Sequence, residues 1–420
     1  MREMKDSGIE WIGKVPVEWK IDNPQYHFSQ RKDRAKQGMV QLTASQKYGV
    51  ITQTEYMERT GANIVTVQKD FDILKLVCAG DFVIHMRSFQ GGLEYSEKTG
   101  SISSAYVMLI PSNTIREPRY YKWFFKSSNY IDALSSTSNL VRDGQAMRWS
   151  NFIQLPILFP PAEEQQRIAD FLDAKCAEID ALTADIQTQI DTLEQYKRSV
   201  ITETVTKGLN PNAEMKDSGI EWVGKMPLAW DAVPNKYLMY KVKNICPVYN
   251  GEDILSLTTN GVIIRDLNGG GKMPTSFDGY QKVTPGNLLM CLFDIDVTPR
   301  CIGLVKNFGL TSPAYSQFVM RTGAYAPYYY YYYLMVDYTK ELLHMAKNLR
   351  HSLTEDQLGA IKAPNPPYEE QVQIAEFLDK KCVEINLVIE DKNRQLATLD
   401  EYKKSLIFEY VTGKKEVPTS

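Results

Sequence analysis

Two short stretches of this chain could act on a nucleotide if the fold presents them correctly. Asn365-Pro366-Pro367-Tyr368 spells the signature that grips a flipped adenine for N6 methylation, the amide bonding the base edge and the ring stacking on its face. Gly269-Gly270-Gly271-Lys272 has the composition of a phosphate-cradling loop, but it lacks the Ser or Thr after the lysine and the glycine five residues before. A plain loop is expected there. Metal and disulfide chemistry find no ligand spacing. Cys78, Cys176, Cys246, Cys291, Cys301 and Cys382 form no Cys-x-x-Cys pair, and His27, His85, His344 and His351 show no His-x-x-x-His spacing. Reduced, mostly buried thiols and no metal are expected.

Whether either stretch works depends on the elements that carry it. At 420 residues with 43% hydrophobic content, the chain can bury two or three domain cores. No apolar run reaches the ~18 residues of a membrane span, and the polar start is unlike a signal peptide, so a cytoplasmic protein is expected. The net charge of −3 is unevenly spread. Residues 1–159 carry 20 Lys and Arg against 16 Asp and Glu, and residues 213–365 carry 15 against 14. Residues 160–212 carry 5 against 10, and residues 366–420 carry 8 against 11. Two mildly basic blocks thus alternate with two acidic ones, which permits phosphate-facing surfaces without requiring them.

The chain repeats itself. Residues 4–19 recur as 215–230 with 12 of 16 positions identical, and residues 160–180 recur as 366–386 with 14 of 21. The register continues without a gap through Thr192 to Lys197 and Thr398 to Lys403. The second duplicate places Asn365-Pro366-Pro367-Tyr368 opposite Phe159-Pro160-Pro161-Ala162, so the frame uses Pro-Pro and leaves its flanks free to vary. A helix start explains the motif better than base gripping, because no glycine-rich loop for a methyl donor accompanies it.

Each duplicate reads as one long helix. Pro-Pro suits the first turn, and Glu163, Glu164, Glu369 and Glu370 put negative charge at the positive end of the macrodipole. Leu172, Ile179, Ile186, Leu193 and Val200 recur every seventh residue, with Leu182 and Tyr196 expected on the interleaved positions of a coiled-coil seam. Leu378, Ile385, Leu399 and Leu406 repeat the seam, interrupted by Lys392, while Tyr196, Tyr402, Cys176 and Cys382 are expected to pack the spine. Gly208 and Gly413 supply C-terminal stops. About 45 residues make a rod of roughly 65 Å. Between the duplicates lie diverged blocks with strand-like runs at 80–86, 105–110, 286–292 and 315–320. Tyr328 to Tyr333 could stack on bases, but Tyr120-Tyr121-Lys122-Trp123-Phe124-Phe125 occupies the matching place, which favours a buried aromatic helix.

The repeated Ser-Gly-Ile-Glu-Trp segment and the Pro-Pro-x-Glu-Glu-Gln helix, in this order and spacing over the whole chain, resemble the type I restriction-modification specificity subunits. The resemblance implies an α+β protein: two α/β target-recognition domains (1–159 and 213–365), two helical spacers (160–212 and 366–412) forming an antiparallel coiled coil with a pseudo-two-fold repeat, and a tail (413–420). It also implies a non-catalytic reader of a split, asymmetric site in double-stranded DNA. Its partners would be two methyltransferase subunits, which bring S-adenosylmethionine, and motor-nuclease subunits; this chain would hold no cofactor. A self-sufficient adenine methyltransferase and a coiled-coil scaffold without DNA reading are the alternatives.

Such a domain sets Arg against guanine and Asn or Gln against adenine, with Lys and Arg on phosphates. The expected readers are Arg87 and Gln90 beside a flexible Gly91-Gly92, and Arg142, Gln145 and Arg148 before the first spacer. In the second domain they are Lys272, Arg300, Asn348 and Arg350. Each one read singly is also an ordinary solvated side chain. Trp11 and Trp222, duplicated with the frame, either pack on their own domains or contact a methyltransferase subunit.

Overall fold

The structure is a computed structural model that describes residues 2–64, 66, 73–137, 147–269, 274–346 and 351–418. The chain divides into two units, one of residues 1–186 with 394–420, the other of residues 187–393.

Unit 1 is built on a four-stranded antiparallel sheet. Its order is Phe28–Arg31, Val107–Pro111, Phe82–Ile84, Glu94–Tyr95. The middle strands read as unbroken apolar runs because both faces are covered. Phe82, Ile84, Val107 and Leu109 face a core with Tyr120, Tyr121, Phe124 and Phe125, whereas Val83 and Met108 face a smaller core with Leu42, Val50, Val77 and Ile102. That second layer comes from the hairpin Leu42–Ser45 with Gly49–Thr52 and the pair Lys75–Val77 with Gly100–Ile102.

Unit 2 has the same plan with different residues. Met239–Val242, Ser316–Met320, Leu288–Met290 and Ile302–Leu304 form its sheet in the same order. Leu288, Met290 and Phe318 face the helix Ala326–Tyr338, and Leu289 faces Leu255, Val262, Val283 and Val305. Tyr328, Tyr329, Tyr331, Tyr332 and Tyr333 are buried and Tyr330 is half-buried, so the aromatic helix is core.

The duplicated segments form the helices Ala162–Lys207 and Tyr368–Val411. Their starts are fixed alike: Gln165 Nε2 donates to the Pro160 carbonyl (2.8 Å) and Gln371 Nε2 to the Pro366 carbonyl (2.9 Å). Within unit 1 the first helix meets the end of the second, Phe171 lying against Tyr410 and Lys403 Nζ bonding Asp180 (2.5 Å). Within unit 2 Lys197 Nζ donates to Asn386 (3.0 Å), the same pair one repeat away, and Lys392 bonds Gln189. The burial corrects the expected seam. Leu172, Cys176, Ile179, Ile186 and Ile190 are buried, whereas Leu182, Tyr196 and Tyr402 are about half exposed. The alternate seam position falls four residues after each heptad residue, at Cys176 and Ile190, rather than three after, which turns 182 and 196 outward. Burial also pushes the Cys176 thiol up to about 12.

Each helix end closes on the tryptophan that terminates the short repeat. Gly413 (φ +69°) approaches Trp19, and a Cβ there would sit 2.5 Å from Pro16 Cγ and 2.9 Å from Trp19 Cη2. Gly208 (φ +75°) approaches Trp230 in the same way. Gly413→Ala therefore combines left-handed strain with a clash, and a loss on the order of 2–3 kcal/mol is expected in urea unfolding. Gly8→Ala has a similar φ of +70° but open space around it and should cost only about 1 kcal/mol. Equal losses from the two substitutions would contradict the close approach at Trp19.

Candidate nucleic-acid interface

The site residues must stand on a rigid frame, and the frame is hydrogen-bonded twice over. Trp19 Nε1 donates to Glu164 (3.0 Å) and Trp230 Nε1 to Glu370 (2.9 Å). In unit 1 Arg2 adds a bidentate pair with Glu164 and lies 5.5 Å over the Trp19 ring. The neighbouring helix ends are satisfied too: Tyr120 Oη donates to the Val411 carbonyl (2.7 Å) and Tyr328 Oη to the Val205 carbonyl (3.0 Å). Those carbonyls belong to the last helical turn and have no partner within the helix.

Most cations of the first sheet and its helices are committed to this frame. Arg31 pairs through Nε and Nη2 with both oxygens of buried Asp81 (2.7 and 2.9 Å), and Arg119 and Lys122 pair with Asp173 (3.1 Å each). Arg87 and Arg148, by contrast, are exposed and form no ion pair among the described residues. Arg87 precedes the short helix Ser88–Gly91, which also carries exposed Gln90, so this reader pair shares one turn. Arg148 precedes the separate helix Trp149–Phe152, its backbone N–H donating to Asn151 Oδ1 (3.0 Å).

The expected flexibility beside Gln90 is not found. Gly92 (φ +75°) is packed so closely that a Cβ would fall 2.0 Å from the Phe125 carbonyl oxygen, and glycine serves for close approach rather than motion. Arg300 is half-buried, at the end of the loop before the strand Ile302–Leu304. Arg142, Gln145, Lys272, Asn348 and Arg350 lie outside the described residues.

Trp11 is half-buried with its ring 6.0 Å from Phe124 and 5.8 Å from Tyr130, and Trp222 Nε1 donates to Tyr332 Oη (3.0 Å). Both thus pack on their own units. Asn365 Oδ1 accepts from Tyr329 Oη (2.9 Å) and from Gln371 Nε2 (3.2 Å), while Tyr368 lies beside Tyr325. The Asn-Pro-Pro-Tyr stretch is spent on holding a helix start. Sequence reasoning missed the roles of Trp19 and Trp230, although their recurrence together with Glu164 and Glu370 was a usable signal. It also missed Lys126, Lys340 and Asp337, which lie more than thirty residues from the loop residues Gly91, Thr298 and Cys301 that they bond.

Comparison with known proteins places this geometry. Residues 27–192 match the family model described as type I restriction modification DNA specificity domain. Over 426 aligned residues the chain is 23% identical to the Type I restriction enzyme MjaVIII specificity subunit of Methanocaldococcus jannaschii, covering 96% of this chain and 94% of that one. It is also 23% identical to the Putative type I restriction enzyme MjaX specificity subunit of the same organism, over 74% of this chain and 72% of that one. The chain is thus similar to type I restriction-modification specificity subunits along nearly its whole length, and its residues 27–192 match their DNA specificity domain. The fold agrees: a chain from a solved structure concerned with complex assembly and conformational transition of the type I R-M system superposes with a TM-score of 0.69 at 13% identity, covering 96% of this chain and 99% of that one. Among the described residues, no helix is long and apolar enough to cross a membrane.

The committed and uncommitted cations should separate in a stability assay. Arg31→Ala strands the buried Asp81 carboxylate and is expected to cost on the order of 3 kcal/mol, whereas Arg87→Ala should stay within about 0.5 kcal/mol of the parent. Urea midpoints measure both. A large loss at Arg87 would show it to be part of the frame.

Proposed function

We propose that this chain is the specificity subunit of a type I restriction-modification complex and reads a bipartite, asymmetric site in double-stranded DNA. The domain of residues 1–159 reads one half and that of residues 213–365 the other. Each domain presents Arg, Lys, Asn and Gln side chains to base edges and phosphates. The helical spacers 160–212 and 366–412 run antiparallel as a coiled coil under a pseudo-two-fold repeat, and the residues after 412 form a tail. Two methyltransferase subunits dock on this frame and bring S-adenosylmethionine; motor-nuclease subunits join the same complex in the cytoplasm. The chain itself performs no catalytic step.

One observation carries the reading: the same fold occurs twice with its frame bonds repeated residue for residue, while the exposed loops share no sequence. Trp19–Glu164 and Trp230–Glu370, Tyr120–Val411 and Tyr328–Val205, and Asp180–Lys403 and Asn386–Lys197 are the same bonds made twice. Divergence of the blocks between the duplicated frame segments, loops included, suits two domains that read different bases, since identical loops on a two-fold frame would read a palindrome.

Exchanging residues 20–158 for the matching block of another specificity subunit is therefore expected to change one half of the methylated motif, with the other half and the spacer length retained. Sequencing of methylated adenines in a host carrying the exchange measures this. A motif whose halves change together, or a palindromic parent motif, would overturn the two-reader assignment.

A further inference from the structure

Both sheets send a middle strand into a loop before the edge strand, at residues 85–93 after Phe82–Ile84 and residues 291–301 after Leu288–Met290. The loops have nothing in common in sequence, yet each is held from inside by a lysine bonded to a loop carbonyl and to a buried carboxylate. In unit 1 Lys126 Nζ donates to the Gly91 carbonyl (2.8 Å) and pairs with Glu94, whose side chain is 2% exposed. The same carboxylate faces His85 Nε2 at 3.5 Å, while His85 Nδ1 accepts the Arg87 backbone N–H (3.3 Å). In unit 2 Lys340 Nζ donates to the Thr298 carbonyl (2.7 Å) and to Asp337 Oδ1 (2.8 Å), and Asp337 Oδ2 accepts the Cys301 backbone N–H (2.8 Å).

Inheritance from one ancestral repeat does not account for the matched clamps. Counting from Tyr120 and Tyr328, whose hydroxyls make equivalent bonds, Lys126 stands opposite Leu334 and Lys340 opposite Asp132. The clamp is thus built from different positions in the two halves, although the frame around it is built from the same ones. A rigid backbone at this place is a requirement that both domains meet separately. Outward, the first loop exposes Met86, Arg87 and Gln90; the second exposes Asp294, Asp296 and Val297, with Val297 at 73% and Asp294 held at φ +48°. These are the groups that discriminate base edges: Arg for guanine, Gln for adenine, a carboxylate for the cytosine amine, and an apolar side chain for the thymine methyl.

We propose that residues 85–93 and 291–301 are the base-reading loops, one for each half-site, and that Lys126 and Lys340 are positioning residues that fix their shape. The proposal rests on the DNA-reading function above. Arg87 and Gln90 suit the first loop to purines, and Asp296 and Val297 suit the second to pyrimidines. Base discrimination needs donors and acceptors held to a fraction of an ångström. A loop of this length left to solvent does not hold them, and a lysine locked between a buried carboxylate and a loop carbonyl does.

The test uses the full chain assembled with the methyltransferase subunits of its host, acting on a duplex library randomised at the methylated site. Glu94→Gln with Lys126→Gln removes the clamp without stranding a buried charge. It is expected to lower base preference about tenfold or more at one half-site and to leave the other half-site and the spacer unchanged. Lys126→Arg, which keeps the charge and the donors, should retain the parent motif. Asp337→Asn with Lys340→Gln should relax the opposite half. Arg87→Ala with Gln90→Ala, which touches no buried group, should relax the same half as the Lys126 variant. An unchanged motif in these variants, or an equal loss at both halves, would overturn the loop assignment. A parent complex with no sequence preference would instead overturn the DNA-reading function beneath it.

Discussion

The indole N–H of Trp19 on Glu164, and of Trp230 on Glu370, is the contact on which the rest of each unit is hung. Each glutamate sits in the first turn of a long helix, where the macrodipole favours its charge, and each fully buried indole also touches the glycine that ends the other long helix. One side chain therefore fixes a helix start, a helix end and the short repeat segment that carries it. A phenylalanine would fill much of the space but leave a buried carboxylate short of a donor, which is costlier than the lost contact area.

With the frame so determined, the sheets are free to differ. Both faces of the central strands are covered, so the requirement on those residues is apolar volume rather than identity: Phe82, Val83 and Ile84 in one unit correspond to Leu288, Leu289 and Met290 in the other. Volume-conserving exchanges of this kind cost little. Polar requirements are met locally, Arg31 on Asp81 in the first unit and Lys340 on Asp337 in the second. Under the proposed function this separation has a use, because a reading surface can change without disturbing the helices that carry it.

Much of this was readable from the chain alone, and the division is physical. The helices, their starts at Pro-Pro and their stops at Gly208 and Gly413 follow from local rules that act within a few residues. The buried tyrosine helix followed from comparing the two halves. The seam was misassigned at Leu182 and Tyr196 because a heptad pattern leaves open which flank carries the alternate position, and neighbouring helix residues decide it. Gly92 looked flexible because sequence shows a glycine pair but not the Phe125 carbonyl packed against it. The bonds from Lys126 to Gly91 and from Lys340 to Thr298 are tertiary, and no spacing announces them.

Unit 1 is discontinuous: its first 186 residues are completed by residues 394–420, which supply Leu406, Ile407, Tyr410 and Val411 to its core and Gly413 to Trp19. On the ribosome, then, the domain made first cannot close first. While residues 187–393 are still being synthesised, the apolar face waiting for those late side chains stays open to water, and the Tyr120 hydroxyl lacks its carbonyl. Translation at 5–20 residues per second makes that interval on the order of tens of seconds. Throughout it the nascent chain is exposed to chaperones and to pairing with the wrong helix, most readily the first helix of a neighbouring copy, whose own final residues carry the same surface.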